Sequence, residues 1–399
     1  MISRLSLAQV LKDAEVFVDG DWVESKDQDP DGDVRLIQLA DIGDGYFIDK
    51  SSRYLTKDKA KLLRCTFLKE GDILIARMPD PLGRACVFPK MEQECVTVVD
   101  VCIIRPNPKT TDSRWLMHCI NSEITRNQIN SYISGATRQR ISRGNLSKIE
   151  IDFPPLEEQR RIASILDKAD AIRQKRQQAI AKLDELLLSE FLKKFSNKNF
   201  KTVMVQELLE TEKSMRTGPF GSQLLHSEFV DDGIAVLGID NAVKNQFQWG
   251  KPRFITEEKY QSLSRYTVKP NDVLITIMGT CGRCAVVPED ISLAINTKHL
   301  CCITLDKTKC EPEFLHSYFL IHPTARNYLE SRAKGAIMDG LNMGIIKELP
   351  VELPSLEDQK AFVKLKKAIL SQKQLMDLNA EKIDQMFGSL QQKAFSGTL

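Results

Sequence analysis

The feature that most constrains the fold of this chain is an internal repeat: one sequence pattern occurs twice, 200 residues apart. Gly-Asp-Ile-Leu-Ile at 71–75 returns as Asn-Asp-Val-Leu-Ile at 271–275, and Phe195 returns as Phe395. Solenoid repeats are about 20–50 residues long. A period this much longer indicates two copies of a whole folding unit, so the first question is what one copy contains.

Each copy ends in a segment with the pattern of a long amphipathic helix. The first begins at Pro154-Pro155 and continues to residue 195, and the second begins at Pro354 and continues to residue 395. Apolar residues recur in steps of three and four, which places them on one stripe of a helix. The residues expected to pack the helices together or to bind a partner are Ile162, Leu166, Ala169, Ile172, Leu183, Leu187, Leu365, Ile369, Met376 and Ile383.

Each copy begins with a globular part in which short β-branched segments are bounded by turn residues, a pattern typical of strands. These segments are 34–39, 72–76 and 96–104 in the first copy, and 234–239, 272–277 and 294–305 in the second. Helical patterns follow near 115–122 and 313–321. Strands followed by helices, without regular alternation, predict an α+β fold.

We therefore predict two globular domains, each followed by a long helix. The predicted bounds are 1–154 and 199–354 for the domains, and 155–198 and 355–399 for the helices. Two equivalent units tend to pack with pseudo-twofold symmetry, which would bring the apolar stripes together with the helices antiparallel. Helices of about 40 residues would form a rod of about 60 Å. The alternative is an ordinary two-domain protein in which each helix packs only on its own domain.

Composition and missing motifs exclude several functional classes. The 399 residues carry 56 Lys and Arg against 54 Asp and Glu, a formal charge of +2, which excludes a histone-like polycation but not a DNA-binding protein with basic residues on one face. Ten cysteines without framework spacing predict reduced thiols and a cytoplasmic location. No apolar run approaches the roughly 18 residues of a membrane helix. The sequence has no P-loop, dinucleotide-binding or HExxH motif, so no cofactor is predicted.

A metal site is not predicted either. Cys281 and Cys284 form a single CxxC, and the neighbouring Cys301-Cys302 pair is not a second one. Zinc sites with this motif need four ligands. Small buried thiols near a turn are therefore favoured over zinc, which stays open as the alternative.

Polar, glycine-containing loops recur in both copies and differ in charge. The loop 134–145 carries three arginines among Gln, Asn and Ser, residue types that contact phosphates and base edges, whereas its counterpart 334–344 is far less basic. A constant framework with altered loops is what two modules that read different targets would need. Ordinary solvated loops are the alternative for each residue. The candidate DNA contacts are Arg77, Arg84, Thr137, Arg138, Gln139, Arg140, Arg143, Asn145, Thr217, Ser222, Arg283, Lys334 and Asn342.

The start of the first long helix resembles the specificity subunits of type I DNA restriction–modification systems. In that family a proline–leucine–x–x–glutamine–x–x–isoleucine start precedes an aspartate–x–alanine–aspartate–x–isoleucine segment. The matching residues here are Pro155, Leu156, Gln159, Ile162, Asp167, Ala169, Asp170 and Ile172. The second helix keeps Leu356 and Gln359, but Phe362 replaces the isoleucine and the acidic segment is lost. The resemblance covers essentially the whole chain, including the duplicated order of domain and helix.

The resemblance implies a non-catalytic subunit whose two target recognition domains each bind half of a split double-stranded DNA sequence. It also implies that the helices set the spacing and dock two modification (methyltransferase) subunits, which restriction subunits with motor and nuclease activity then join. ATP and S-adenosylmethionine would be bound by those partners. Two alternatives stay open: an adaptor between proteins that binds no DNA, and a stand-alone site-specific nuclease or methyltransferase.

Overall fold

The computed structural model describes residues 3–134, 139–196, 199–333 and 340–399. The chain divides into two compact units, which we call unit 1 (Met1–Ala179 with Met376–Leu399) and unit 2 (Ile180–Leu375). Each unit contains one globular domain, the beginning or end of the first long helix, and the complementary part of the second. Each unit therefore combines residues from both copies of the repeat.

The described part of the unit 1 domain has nine strands in three sheets. A four-stranded antiparallel sheet has the order β2-β8-β5-β6, a three-stranded sheet has the order β4-β3-β7 with β3 and β7 parallel, and β1 pairs with β9. The predicted strand at 96–104 is two strands, because Val101 N donates to Val98 O (3.0 Å) and closes a turn. The strands are β1 Ser3–Ser6, β2 Val16–Asp19, β3 Val34–Ile37, β4 Tyr54–Leu55, β5 Ile73–Ala76, β6 Ala85–Val87, β7 Cys95–Thr97, β8 Val101–Arg105 and β9 Glu150–Phe153.

The helices of the first copy follow local capping signals. Helix α3 begins after Asp112, whose carboxylate accepts from the N–H groups of Arg114 and Trp115 (both 3.0 Å). Trp115 is fully buried beside Phe153 and Phe395, so α3 anchors the core of unit 1. The helices are α1 Leu7–Val10, α2 Lys57–Leu62, α3 Ser113–Asn121, α4 Glu123–Ser131, α5 Arg143–Leu146 and the long α6 Leu156–Phe195.

The second copy repeats this order. Its sheets have the orders β11-β17-β14-β15, β13-β12-β16 and β10-β18, each matching a sheet of unit 1. The predicted α+β class and internal repeat are confirmed. The strands are β10 Lys201–Met204, β11 Met215–Thr217, β12 Ile234–Leu237, β13 Phe254–Ile255, β14 Val273–Thr276, β15 Cys284–Val286, β16 Ala294–Asn296, β17 Leu300–Ile303 and β18 Pro350–Leu353. The helices are α7 Glu257–Leu263, α8 Pro312–Ile321, α9 Pro323–Arg332, α10 Met343–Lys347 and the long α11 Leu356–Phe395.

The two long helices contact each other in antiparallel fashion within each unit. In unit 1, Arg173 Nε lies 2.7 Å from Asp384 Oδ1, and its guanidinium lies 4.4 Å from the ring centre of Phe387. In unit 2, Lys373 Nζ lies 2.6 Å from Asp184. Early residues of one helix thus meet late residues of the other, as predicted.

Each long helix also packs on the domain that precedes it. Ile162 and Leu166 of α6 belong to the core of unit 1, and Phe362 of α11 belongs to the core of unit 2. The alternative in which each helix packs only on its own domain is therefore wrong, because the helices make both kinds of contact. Phe362, in the second turn of α11, packs against Phe191 of α6, with ring centres 5.2 Å apart.

A buried glutamine fixes the start of each long helix. Gln159 accepts from Asp112 N (2.9 Å) and donates to Thr110 O (3.1 Å) and Pro154 O (2.9 Å). Gln359 makes the same three bonds, to Glu311 N, Lys309 O and Pro354 O, at 2.9–3.2 Å. A buried amide with both ends hydrogen-bonded holds its partners in place. These glutamines therefore tie each long helix to the loop before α3 or α8.

The predicted apolar stripe is only partly buried. Ile172 is 57% exposed, so it does not pack between the helices, because the next residue, Arg173, faces the other helix. The other role predicted for the stripe, binding a partner, stays a prediction for Ile172. The remaining stripe residues are buried at Ile162, Leu166 and Ile369, and partly buried at Ala169, Leu183, Leu187, Leu365, Met376 and Ile383.

Candidate nucleic-acid interface

One edge of each domain contains the loops in which most of the candidate DNA contacts lie. We call it the loop edge. It comprises the β5–β6 turn, the β7–β8 turn and the segment before α5 in unit 1, and the equivalent turns in unit 2. Its described residues are 77–84, 98–100 and 139–145 in unit 1, and 277–283, 297–299 and 340–345 in unit 2.

Backbone hydrogen bonds join these three segments in the same way in both units. In unit 1, Arg77 N donates to Asp100 O (2.9 Å) and Ile141 N donates to Arg77 O (3.0 Å). In unit 2, Ile277 N donates to His299 O (3.0 Å) and Leu341 N donates to Ile277 O (2.8 Å). The loop edge is therefore a hydrogen-bonded surface of each domain.

Two predicted DNA contacts of the first domain are wrong, because their side chains are committed to the fold. Arg77 is 4% exposed and donates to Val99 O (2.6 Å). Arg84 is 8% exposed and donates to Ile42 O (2.7 Å) and Leu39 O (2.8 Å), so it ties the β5–β6 turn to the loop after β3. Neither guanidinium is open to a phosphate or a base.

The other candidates of the first domain lie at or near the surface. Arg140 is exposed and pairs with Asp100 at 3.3 Å, and Gln139 beside it is exposed. Arg143 is half-buried and donates to the carbonyl of Phe17 (2.9 Å). Asn145 is also half-buried. Thr137 and Arg138 lie outside the described residues.

In the second domain the candidates divide in a similar way. Ser222 and Arg283 are exposed, and Thr217 is half-buried at the end of β11. Asn342 is exposed, but its Oδ1 accepts from Ile345 N (2.9 Å), so it also caps α10. Lys334 lies outside the described residues.

A cleft opens beside the loop edge of each domain. Its volume is about 640 Å³ in unit 1 and about 740 Å³ in unit 2. Both clefts are lined by the single turn after β3 or β12, by Arg53 or Arg253, and by the β7–β8 or β16–β17 turn. Because these positions are about 200 residues apart, the two clefts are copies of one feature.

In each cleft, a buried polar side chain stabilises the turn after β3 or β12 that lines it. Asp41 accepts from the N–H groups of Gln38 (2.7 Å), Lys50 (2.8 Å) and Ser51 (2.7 Å). Burial raises the pKa of Asp41, but these bonds and the Ser51 hydroxyl outweigh burial and leave the pKa below its ordinary value. Its counterpart Asn241 accepts from Gly238 N (2.8 Å), so the frame is maintained in both domains.

The linings of the two clefts differ in charge. The unit 1 cleft is lined by three acidic residues, Asp21, Glu24 and Asp100, and by Arg53. The unit 2 cleft is lined by Arg253, Lys298 and one acidic residue, Asp240, with two histidines. Among the described lining residues, the unit 2 cleft is thus the more basic one, the reverse of what the loop sequences indicate. The sequence analysis missed this charge difference because it compared the loops before α5 and α10, and not the β7–β8 turn with the β16–β17 turn.

The junction between domain and long helix has opposite polarity in the two units. In unit 1, Asp167 of α6 accepts from Arg114 Nη1 and contacts His118 Nε2, both at 2.8 Å. In unit 2, the cation is on the long helix: buried Lys366 donates to Glu313 Oε2 of α8 (2.5 Å). The junction in unit 2 thus has an ion pair of reversed polarity, one residue before the position that corresponds to Asp167.

Three further observations bear on other classes of site. The described residues contain no group of three or more His, Cys, Asp or Glu side chains placed to hold a metal ion. Burial raises the pKa of the Cys284 thiol well above its ordinary value. Within the described chain, we find no helix with the length and apolar character required to cross a membrane.

Comparison with known proteins gives consistent results. A family model described as the type I restriction modification DNA specificity domain matches twice, at residues 13–182 and 197–385. The Escherichia coli type I restriction enzyme EcoBI specificity subunit is 24% identical over 335 residues, which is 75% of this chain and 68% of that protein. The Methanocaldococcus jannaschii type I restriction enzyme MjaVIII specificity subunit is 22% identical over 381 residues, covering 90% and 87%.

Solved structures share the fold. A chain from a study of complex assembly and conformational transition of the type I R-M system superposes with a TM-score of 0.60 at 16% identity, covering 100% of this chain and 98% of that one. The type I restriction–modification system S subunit from M. genitalium superposes with a TM-score of 0.55 at 13% identity, covering 99% and 96%. At these identities the likeness establishes the fold alone.

Proposed function

The chain belongs to the family of type I restriction–modification DNA specificity proteins, and from that premise we propose that it is the non-catalytic subunit that selects the DNA target of a type I restriction–modification complex. Domain 1–154 binds one half of a split double-stranded sequence, and domain 199–354 binds the other half. The helical segments 155–198 and 355–399 dock two modification subunits, which methylate adenines, and restriction subunits join that assembly.

The observation that carries this proposal is the pair of equivalent clefts, which share one hydrogen-bonded turn but differ in the charged residues that line them. The hydrogen-bonded turn at Asp41 or Asn241 is kept in both domains, while the charged residues that line the clefts change. Acidic side chains accept hydrogen bonds from cytosine amino groups, and basic ones donate to guanine and phosphate oxygens. Different linings on one frame suit two modules that bind two different sequences.

The long helices support the docking of partner subunits. Large apolar side chains are exposed on them, and exposed apolar patches commonly mark protein-interaction sites. These residues are Ile172, Leu378 and Met386 in unit 1, and Leu186, Leu188, Leu370 and Leu375 in unit 2. Catalysis is assigned to the partners, because the sequence has no P-loop or HExxH motif.

Salt-dependent DNA binding by the assembled complex tests this proposal. Each phosphate contact adds about one unit to the slope of log K against log salt, so Lys298→Ala should weaken binding and lower that slope by about one. Lys307→Ala is the matched control, because Lys307 is exposed and follows β17 whereas Lys298 precedes it. The control should behave as the wild type.

The same titration separates the alternatives. An assembled complex that shows no salt-dependent binding to duplex DNA would contradict the proposal and favour a protein adaptor. Cleavage or methylation of DNA by the purified chain alone would favour a stand-alone enzyme.

A further inference from the structure

We propose that Trp22 and Phe220, one exposed aromatic residue in each domain, insert at a base step of the half-site that their domain binds and stack on the bases that this opens. This inference rests on the proposed function and assigns residues to it that no sequence motif marks. Trp22 is 70% exposed and Phe220 is 55% exposed. Isolated exposed aromatic residues are common on protein surfaces, so exposure alone carries no argument.

The strand register places the two rings at equivalent positions. Asp19 of β2 pairs with Cys102, the second residue of β8. Thr217 of β11 pairs with Cys301, the second residue of the equivalent strand β17. Asp19 and Thr217 are therefore equivalent, and three residues after them come Trp22 and Phe220. The equivalent positions are thus 198 residues apart (220 − 22), which a comparison at the 200-residue period misses.

The chain just before each ring is fixed by a close approach. Gly20 follows β2, and a Cβ there would collide with Val98 O. Gly218 follows β11, and a Cβ there would collide with Asn296 O. Only glycine fits such contacts. Both domains therefore hold the aromatic residue two positions after a glycine that is pressed against the end of the neighbouring strand.

Trp22 stands at the rim of the unit 1 cleft, and Phe220 lies in the chain between two residues that line the unit 2 cleft. Trp22 lines the unit 1 cleft, and its Nε1 donates to Glu24 Oε1 (3.2 Å). In unit 2, the neighbours of Phe220, Pro219 and Gly221, line the cleft, and Phe220 N donates to Gln223 Oε1 (3.2 Å). The Trp22 indole is held by its hydrogen bond to Glu24, so it loses little conformational freedom when a ligand covers it.

The differing cleft linings favour DNA over a protein as the partner of these rings. Two copies of the same methyltransferase would meet the two domains best if the surroundings of both rings were alike. The surroundings differ instead: Glu24 and Asp100 lie in one cleft, and Lys298 and His299 in the other. Every base has a π-face, so stacking at an opened base step tolerates both a change from Trp to Phe and a change of base. The rings then supply affinity, and the cleft residues supply sequence preference.

The test compares Trp22→Ala with Trp22→Phe in the full complex with its methyltransferase subunits, titrated with a duplex that carries the split motif methylated in the host. Stacking on one base is worth roughly a 5- to 150-fold change in Kd in a single strand, and the cost of opening a base step in a duplex offsets part of this gain. We expect Trp22→Ala to weaken binding by roughly 5-fold or more, and Trp22→Phe to retain most of the wild-type affinity. Phe220→Ala is the equivalent variant in the second domain.

Trp249→Ala is the matched control. Trp249 is a similarly exposed tryptophan, 59% accessible, and it packs on Phe247 rather than at the unit 2 cleft beside the loop edge. The Trp249→Ala complex should bind DNA with wild-type affinity. Wild-type affinity in both Trp22→Ala and Phe220→Ala would overturn the inference, and so would loss of methyltransferase binding in place of DNA binding. If the wild-type complex itself failed to bind the duplex, the proposed function would fail instead.

Discussion

Mild acid should destabilise unit 2 through a single histidine. His316 of α8 is buried, and its Nε2 lies 3.0 Å from Asn245 O and 3.1 Å from Cys284 O. Since two carbonyls require an N–H donor at Nε2, the other ring nitrogen, Nδ1, accepts from Lys366 Nζ (2.8 Å). Lys366 Nζ also pairs with Glu313 and donates to Ser317 Oγ (3.0 Å). A proton on Nδ1 would break the contact with Lys366.

The size of the effect follows from the pKa of His316. Burial, with the Lys366 ammonium as the second cause, lowers this pKa from 6.5 to about 4. The folded state thus binds this proton less readily than the unfolded state, so the stabilisation is fully present above pH 6.5 and is lost as the pH falls towards about 4. A difference of about 2.5 units, at about 1.4 kcal/mol per unit, corresponds to about 3–4 kcal/mol once the titration is complete.

His316→Met isolates this contribution, because Met117 occupies the equivalent position on α3 in unit 1. The variant loses all three hydrogen-bond contacts of the ring and should be less stable than the wild type at pH 7. The stability difference should narrow by about 3 kcal/mol between pH 7 and pH 4, because only the wild type has the titrating group. Hydrogen exchange of peptides from α8 measures this stability difference at each pH, with α3 peptides as the internal control. Parallel pH profiles of the two proteins would refute the reasoning.

Other substitutions should separate residues that maintain the fold from residues that bind partners. Gln159→Ala removes three buried hydrogen bonds and should cost about 1–3 kcal/mol of unfolding free energy in denaturant titration; an unchanged midpoint would contradict the anchoring role. Leu166→Ala should cost about 2–5 kcal/mol, because its side chain is fully buried, whereas the exposed Ile172→Ala should stay within about 0.5 kcal/mol; equal effects would argue against the assigned packing. Leu375→Asp should leave the chain folded but reduce copurification with the methyltransferase subunits, because Leu375 is 54% exposed; full recovery of the complex would exclude this part of the helix as the dock.

Much of the fold could be predicted from periodicity, because the long helices and the 200-residue repeat depend on local patterns. The helix from Leu156 to Phe195 has its apolar steps and its proline start in the sequence. The phase of its stripe was harder to predict. Ile172 fits the apolar spacing, yet Arg173 faces the other helix, because its guanidinium stacks on Phe387 and pairs with Asp384.

The candidate site was less predictable, because residue type does not reveal whether a side chain is used by the fold. Arg77 and Arg84 have the right chemistry for DNA but are consumed by backbone carbonyls brought near them only by tertiary structure. Trp22 was missed for a related reason. Its equivalence to Phe220 depends on strand pairing, and a two-residue shift between the copies hides it from a comparison of sequence positions.

The most direct test of the central claim is single-molecule methylation sequencing of host DNA with this gene present and with it deleted, while the neighbouring methyltransferase gene is left intact. The account predicts that deletion removes methylation at one split adenine motif and leaves other motifs unchanged. An unchanged methylome, with the methyltransferase shown to be expressed, would contradict the claim that this chain selects the target.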